Sequence, residues 1–206
     1  MAGPKTQAKT GDPILVTRPF FPSLYLVRHA TPDWSRTDIP YHLPPGPPLT
    51  PQGEREAVQL GEFLRDMGVH RFLHSPLERC VRTAVLAAEV AGASLQLDQR
   101  LAEIRPEEKP ADVLARVWPV WVEAGQACLS GEPLVLITHG GPISLLLAEL
   151  GLSTKDLAHY QAKFDRRNPL PPAGVWRALR PTPAADWSLD LAFTPQAEQK
   201  AKAWFV

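Results

Sequence analysis

The chain has 206 residues, enough for one α/β domain with a substantial core. Its 22 Lys and Arg balance 22 Asp and Glu, so no bulk charge draws it to nucleic acid or to an anionic membrane surface. Two cysteines are too few for a disulfide framework, no apolar run reaches membrane-spanning length, and the polar stretch Met1–Thr10 lacks the core of a signal peptide. A cytoplasmic location is the expectation.

Residues 1–22 are polar and then proline-punctuated, which predicts an N-terminal arm ahead of one domain over 23–206. Ser23–Val27 reads as a strand that ends at Arg28-His29. Thr50-Pro51 opens a helix, with threonine as N-cap and proline at the first helical position; Ala57, Leu60 and Leu64 share its apolar face, and Gly68 stops it. A second strand fits Val69–Leu73. Ser75-Pro76-Leu77-Glu78 has the form of a capping box and predicts a helix to about Val90, before Gly92. Leu95–Leu97 is a weaker strand. Ala111–Leu129 is helical by periodicity, and Pro119 inside it predicts a kink or two pieces. Leu134–Thr138 is an unbroken run of strand formers, followed by a helix from Pro142 to Leu150 that stops at Gly151. The proline clusters Tyr41–Pro51, Asn168–Pro172 and Pro181–Pro183 read as rigid loops, and Val175–Leu179 with Ser188–Phe193 as an antiparallel pair.

Strands alternating with helices predict an α/β three-layer sandwich: a largely parallel central sheet, helices on both faces and a late antiparallel addition. Ligands in such sheets bind beyond the carboxyl ends of the strands. Three loops leave those ends. The first carries Arg28 and His29, the second precedes Arg79, and the third carries His139 and Gly140-Gly141. Two histidines, two arginines and two helix N-termini at one edge suit a small dianion such as phosphate. A neutral imidazole is a good nucleophile towards phosphorus, and phosphoryl transfer is catalysed mostly by positioning and charge stabilisation.

Four segments carry a family resemblance: LYLVRHATPDW at Leu24–Trp34, PLTPQGEREA at Pro48–Ala57, HSPLERCVRTA at His74–Ala84 and LVLITHGG at Leu134–Gly141. In this order they resemble the histidine phosphatase superfamily, in its phosphoglycerate mutase-like branch of mutases and phosphatases. The resemblance implies that His29 is the phosphorylated nucleophile. It implies that Arg28, Arg79 and His139 hold the phosphoryl oxygens, to which the helix start after His139 adds free backbone N–H groups, with Gly140 as a phosphate-binding candidate. It maps the family's proton donor onto Glu103 in Leu101-Ala102-Glu103, with Glu107 and Glu108 in reserve. Three departures stand beside it. Ile104–Glu108 replaces the family's usual continuation, Ala30 stands where glycine is usual, and Ser35 follows the tryptophan where asparagine is usual.

The function expected is a phosphomonoester hydrolase that needs no metal and no cofactor and acts on a small cytoplasmic phosphate ester. The alternatives are a cofactor-dependent phosphoglycerate mutase and a phosphate-binding pseudoenzyme. The only partner called for is a small-molecule phosphate ester, and assembly into a homo-oligomer is compatible with the sequence. Other residues receive blander readings. Cys80 and Cys128 are expected as buried free thiols. His70 and His74 flank a strand and cannot share a metal. His42 and His159 receive no role, and Trp118 and Trp121 are read as core or cleft wall.

Overall fold

The computed structural model describes residues 23–129, 131–165, 167–180, 182 and 185–196. The expected arm over 1–22 lies outside them, as do Pro181 and Pro183 of the last proline cluster. The strands are β1 (Ser23–Arg28), β2 (Arg71–His74), β3 (Ser94–Leu97), β4 (Leu134–Thr138), β5 (Val175–Leu179) and β6 (Ser188–Phe193). The helices are α1 (Pro51–Asp66), α2 (Glu78–Ala91), α3 (Pro110–Cys128), α4 (Gly140–Glu149) and α5 (Thr154–Lys163), with a short 3₁₀ turn at Gln99–Leu101. The six strands form one sheet in the order β3-β2-β4-β1-β5-β6. β1 to β4 run parallel, and β5 and β6 are added antiparallel beyond β1.

Alternation along the central strands makes two cores, as the period-two geometry of a strand requires. Leu24, Leu26, Leu134 and Leu136 face α3 and α4 through Val117, Trp121, Ile143 and Leu147. Tyr25, Val27, Val135 and Ile137 face α1 and α2 through Leu60, Leu64, Ala84 and Ala87. This is the expected three-layer sandwich. Helices α1 and α2 approach closely because Gly61 meets the alanine-rich face of α2: a Cβ at Gly61 would lie 2.6 Å from the Ala87 carbonyl oxygen. Both cysteines are buried and free. No helix among the described residues is long and apolar enough to cross a membrane.

Local sequence chemistry accounts for several boundaries. Thr50 caps α1 by accepting the Gly53 N–H at 3.0 Å, with Pro51 at the first helical position. Gly92 ends α2 in the left-handed conformation.

Four local expectations are corrected. First, Ser75 and Glu78 form no capping box. Leu77 is the N-cap of α2, without a side-chain cap, and the Ser75 hydroxyl is committed to His139 instead. Second, α3 runs as one helix through Pro119. Pro119 and Ala115, whose carbonyl loses its partner, are both exposed, so that carbonyl is left open to solvent rather than buried and the helix need not divide. Third, α4 starts at Gly140, two residues before the expected Pro142. Fourth, α5 was not foreseen. It opens at Ser153, which accepts the Asp156 N–H at 3.1 Å, a signal present in Ser153-Thr154-Lys155-Asp156.

Candidate active site

Parallel pairing places Arg28 of β1 opposite Thr138 of β4. The next residues, His29 and His139, therefore leave the sheet side by side. The His29 N–H donates to the Thr138 carbonyl at 2.9 Å, and the two imidazole centroids lie 5.2 Å apart. Around them is a cavity of about 280 Å³ lined by Arg28, His29, Glu103, Gly140 and Gly141, with Trp34, Tyr41, His42, Arg167 and Asn168 completing its wall.

His29 is almost wholly buried, with Nδ1 2.8 Å from the Ala30 carbonyl oxygen. A carbonyl only accepts, so in the neutral ring Nδ1 carries the proton and Nε2 keeps its lone pair. Burial, then the charges of Arg79 and Arg28, hold the His29 pKa well below the ordinary 6.5. The ring is therefore neutral at physiological pH, with Nε2 3.5 Å from the Tyr41 hydroxyl.

The arginines are anchored from different directions. Arg28 donates from Nη1 to Asp165 at 2.7 Å and to the Leu170 carbonyl at 3.1 Å, which ties the strand end to the loop after α5. Arg79, fully buried in the first turn of α2, donates from Nη1 to the Tyr41 carbonyl at 2.9 Å, and its guanidinium lies 4.0 Å from the Tyr41 ring centroid. The Nε atoms of both arginines and Nη2 of Arg79 are buried without a hydrogen-bond partner among the described residues. Nη2 of Arg79 is 3.9 Å from Glu103 Oε2, within ion-pair range but beyond a hydrogen bond. Buried cationic donors left unsatisfied are costly, and an anion in the cavity would satisfy them.

His139 is the N-cap of α4, so the free N–H groups of the first turn and the positive end of the helix face the same space. Its Nε2 is 2.7 Å from the Ser75 hydroxyl, and its Nδ1 is 3.7 Å from Glu103 Oε2. Burial, with Arg79 next, depresses its pKa well below 6.5 as well. The glycine pair is dictated by contact. A Cβ on Gly140 would run into the Asn168 side chain, and one on Gly141 would lie 2.6 Å from Ile104 Cδ1 and 3.1 Å from Glu103 Oε1.

Glu103 reaches the cavity because the loop behind it is clamped. Arg116 of α3 donates to the carbonyls of Arg100, Ala102 and Glu103, and Thr138 donates to that of Leu101. Burial raises the Glu103 pKa above 4.5, against the opposing pull of the Ile104 N–H and of Arg79. The reserve carboxylates are not brought to the site. Glu107 is exposed, and Glu108 is bound to Arg116 at 2.8 Å and to the Arg105 N–H at 2.9 Å, which lowers its pKa.

Two departures from the family pattern find their places. The Ala30 methyl packs into the core under α1 and α2, away from the cavity, while its N–H donates to Thr83 at 3.0 Å. Ser35 is exposed and bonds back to Asp33, so it does not line the site. His74 has the expected structural role, with Nδ1 3.0 Å from the Ser75 carbonyl oxygen. His42, given no role from sequence, lines the cavity with a buried Nδ1 that lacks a hydrogen-bond partner among the described residues. Tyr41, His42 and Trp34 come from the proline-rich loop, and Arg167 and Asn168 from the loop after α5; neither loop carries a periodic signal. Trp121 belongs to the core, and with Trp118 it also borders a separate groove of about 670 Å³ towards Trp187.

His29, Glu103 and His139 bring potential metal-ligating atoms within 4.8 Å of one another. The guanidiniums of Arg28 and Arg79 share that space, however, and a cation there would face two fixed positive charges and a helix N-terminus.

This edge of the sheet, with its paired histidines, buried arginines and glycine-led helix, goes with a phosphoglycerate mutase-like fold. The family model of the histidine phosphatase superfamily (branch 1) matches residues 24–107, so the resemblance read from the sequence holds over that segment. Among solved structures, a mycobacterial hydrolase is similar with a TM-score of 0.66 at 21% identity, covering 84% of this chain and 99% of the other. A mycobacterial glucosyl-3-phosphoglycerate phosphatase in complex with VO3 gives 0.62 at 22% identity, covering 82% and 97%. A phosphoglycerate mutase from Bacillus anthracis gives 0.64 at 15% identity, covering 84% and 92%. At such identities the likeness is one of fold. Curated proteins of Salmonella arizonae and Salmonella newport, each named as a probable phosphoglycerate mutase GpmB, are 36% identical over 81 residues, 39% of this chain and 37% of theirs. The chain spans little more than a third of the length of these relatives.

Proposed function

We propose that the chain is a metal-independent phosphomonoester hydrolase that works through a phosphohistidine at His29. The observation that carries this reading is the pairing of a neutral His29, its unprotonated Nε2 facing only the Tyr41 hydroxyl at 3.5 Å among the described residues, with buried arginine nitrogens that lack hydrogen-bond partners there. A phosphoryl group fits both needs. Its oxygens accept from Arg28, Arg79, His139 and the first turn of α4, while its phosphorus lies open to Nε2.

In the first step Nε2 attacks phosphorus and the bond to the leaving oxygen breaks. Glu103, whose pKa burial raises, gives its proton to that oxygen and becomes a carboxylate. In the second step water attacks the phosphohistidine, Glu103 takes back a proton, the P–N bond breaks, and inorganic phosphate leaves a neutral His29. The Ala30 carbonyl holds Nδ1–H throughout, which keeps Nε2 aimed at phosphorus.

Quenching the enzyme during turnover of p-nitrophenyl phosphate tests the reading. We expect an acid-labile, base-stable phosphoryl group on His29, activity unchanged by EDTA, and loss of turnover in His29→Ala with phosphate still bound. A phosphoryl group on another residue, or activity that disappears with EDTA and returns with magnesium or zinc, would overturn it. The names of the curated relatives favour a mutase as the second reading. Isomerisation of a phosphoglycerate faster than its hydrolysis, in the presence of a bisphosphate primer, would select it.

A further inference from the structure

Ser75 stands outside the roles described so far. It is fully buried at the end of β2, held by its N–H to the Ile137 carbonyl at 3.0 Å, and the helix start that its sequence context predicts does not use it as a cap. Its hydroxyl lies 2.7 Å from Nε2 of His139 and 3.3 Å from the Leu77 N–H.

We propose that Ser75 fixes the proton of His139 on Nδ1 by donating its hydroxyl hydrogen to Nε2, which makes the edge of the neutral imidazole that faces Glu103 a hydrogen-bond donor. The reading rests on the proposed phosphoryl chemistry, for which that donor would matter.

Counting protons supports the assignment. The Leu77 N–H can only donate, so it occupies a lone pair of the Ser75 oxygen and leaves the hydroxyl hydrogen in need of an acceptor. Imidazole Nε2 is at ideal O–H···N distance. The Cys80 sulfur, a weak acceptor, also lies near Ser75 and 3.5 Å from Nε2, and its thiol hydrogen has the stronger acceptor in the Thr138 carbonyl at 3.4 Å. If Nε2 carried the proton instead, the Ser75 hydrogen would be left to that sulfur. The opposite edge agrees. Nδ1 faces Glu103 Oε2 at 3.7 Å, where a second lone pair would repel the carboxylate formed during turnover and any phosphoryl oxygen. Ser75 thus acts through His139 and is a positioning residue. It gives the site a donor without a third buried cation beside Arg28 and Arg79.

Long-range ¹H–¹⁵N spectra of the full chain labelled with ¹⁵N-histidine test this, the His139 signals being assigned by their loss in His139→Gln. We expect His139 of the wild type as the Nδ1–H tautomer. Ser75→Ala should shift it towards Nε2–H and raise the dissociation constant for inorganic phosphate about tenfold, the worth of one hydrogen bond to a charged group. Ser75→Thr, which keeps the hydroxyl, should retain the wild-type tautomer, and His29 should keep its own tautomer in both variants. A wild-type His139 protonated on Nε2, or a tautomer unmoved in Ser75→Ala, overturns the proposal. The wild-type spectrum decides even if Ser75→Ala fails to fold. If the tautomer is as expected but no phosphate ester is turned over, the role of Ser75 stands and the hydrolase reading falls.

Discussion

At the scale of single residues, Glu103, Glu107 and Glu108 share one loop and one chemistry, yet meet three environments. Glu103 is buried beside Arg79 and His139, Glu107 is in solvent, and Glu108 is spent on Arg116. A sugar alkoxide needs a proton to leave, whereas p-nitrophenolate hardly does. Glu103→Gln should therefore slow alkyl phosphate hydrolysis about a hundredfold while changing p-nitrophenyl phosphate much less. Glu107→Gln should leave both rates unchanged. Glu108→Gln should lower alkyl phosphate turnover modestly and p-nitrophenyl phosphate turnover less, because it loosens the arginine that holds the Glu103 carbonyl. Equal losses on both substrates in Glu103→Gln would remove the acid from the mechanism. The pH profile follows from the same residues. On the proposed mechanism, turnover of an alkyl phosphate needs His29 neutral and Glu103 protonated. The rate should therefore rise as pH climbs through the depressed His29 pKa, and fall as pH passes the raised pKa of Glu103. The alkaline fall should be weak with p-nitrophenyl phosphate, and an equally steep fall on both substrates would count against Glu103.

At the scale of elements, the N-terminus of α4 shows how a helix boundary serves the site. Gly140 and Gly141 allow Asn168, Ile104 and Glu103 to close on the first turn. Gly141→Ala should displace Ile104 and Glu103 and so depress alkyl phosphate turnover more than p-nitrophenyl phosphate turnover, as kinetics on the two substrates will show. Helix α3 carries the opposite case, a residue that costs stability on an exposed face. Pro119→Ala restores an N–H to the Ala115 carbonyl without touching the core, and should stabilise the chain by about 1–3 kcal/mol, the range between a solvated and a buried helix break. Chemical denaturation measures this, and a loss of stability would mean that the proline ring packs where its exposure says it does not.

At the scale of the whole molecule, the charge buried at the sheet edge links stability to pH. His29 and His139 have folded pKa values well below 6.5, so the unfolded chain binds protons first as pH falls. The stability they contribute is present above about pH 6.5 and is lost on descent towards their folded pKa values. Glu103 acts in the other direction: its raised pKa adds stability at low pH that disappears as pH rises through that value. Two histidines against one carboxyl predict lower stability at pH 5.5 than at pH 7.5 in urea titrations. Inorganic phosphate should raise stability by about 2.7 kcal/mol at a hundred times its dissociation constant. Equal stability at both pH values would mean that the histidines are not held neutral.

How much of this was legible follows from what each signal depends on. The central strands, the Thr50 cap, the stop at Gly92 and the alternation of strands with helices rest on short-range chemistry, and a single sequence displays them. The motifs around His29, Arg79 and His139 were visible for the same reason, and strand order alone gathers them at one edge. Distance through space decided the rest. Ser75 could cap a helix or reach His139, and only the parallel pairing of β2 with β4 brings that histidine within hydrogen-bond range. Pro119 breaks a helix or leaves it whole according to which side faces water, and Glu103 parts from Glu107 and Glu108 because Arg116 clamps its carbonyl. Tyr41, His42 and Arg167 line the cavity through loops without periodicity, whose course is set by the surfaces they lie on. Residue type and spacing determined which candidate groups the chain offers; tertiary contact decided which members of each set meet at the site, because burial and proton position depend on neighbours remote in sequence.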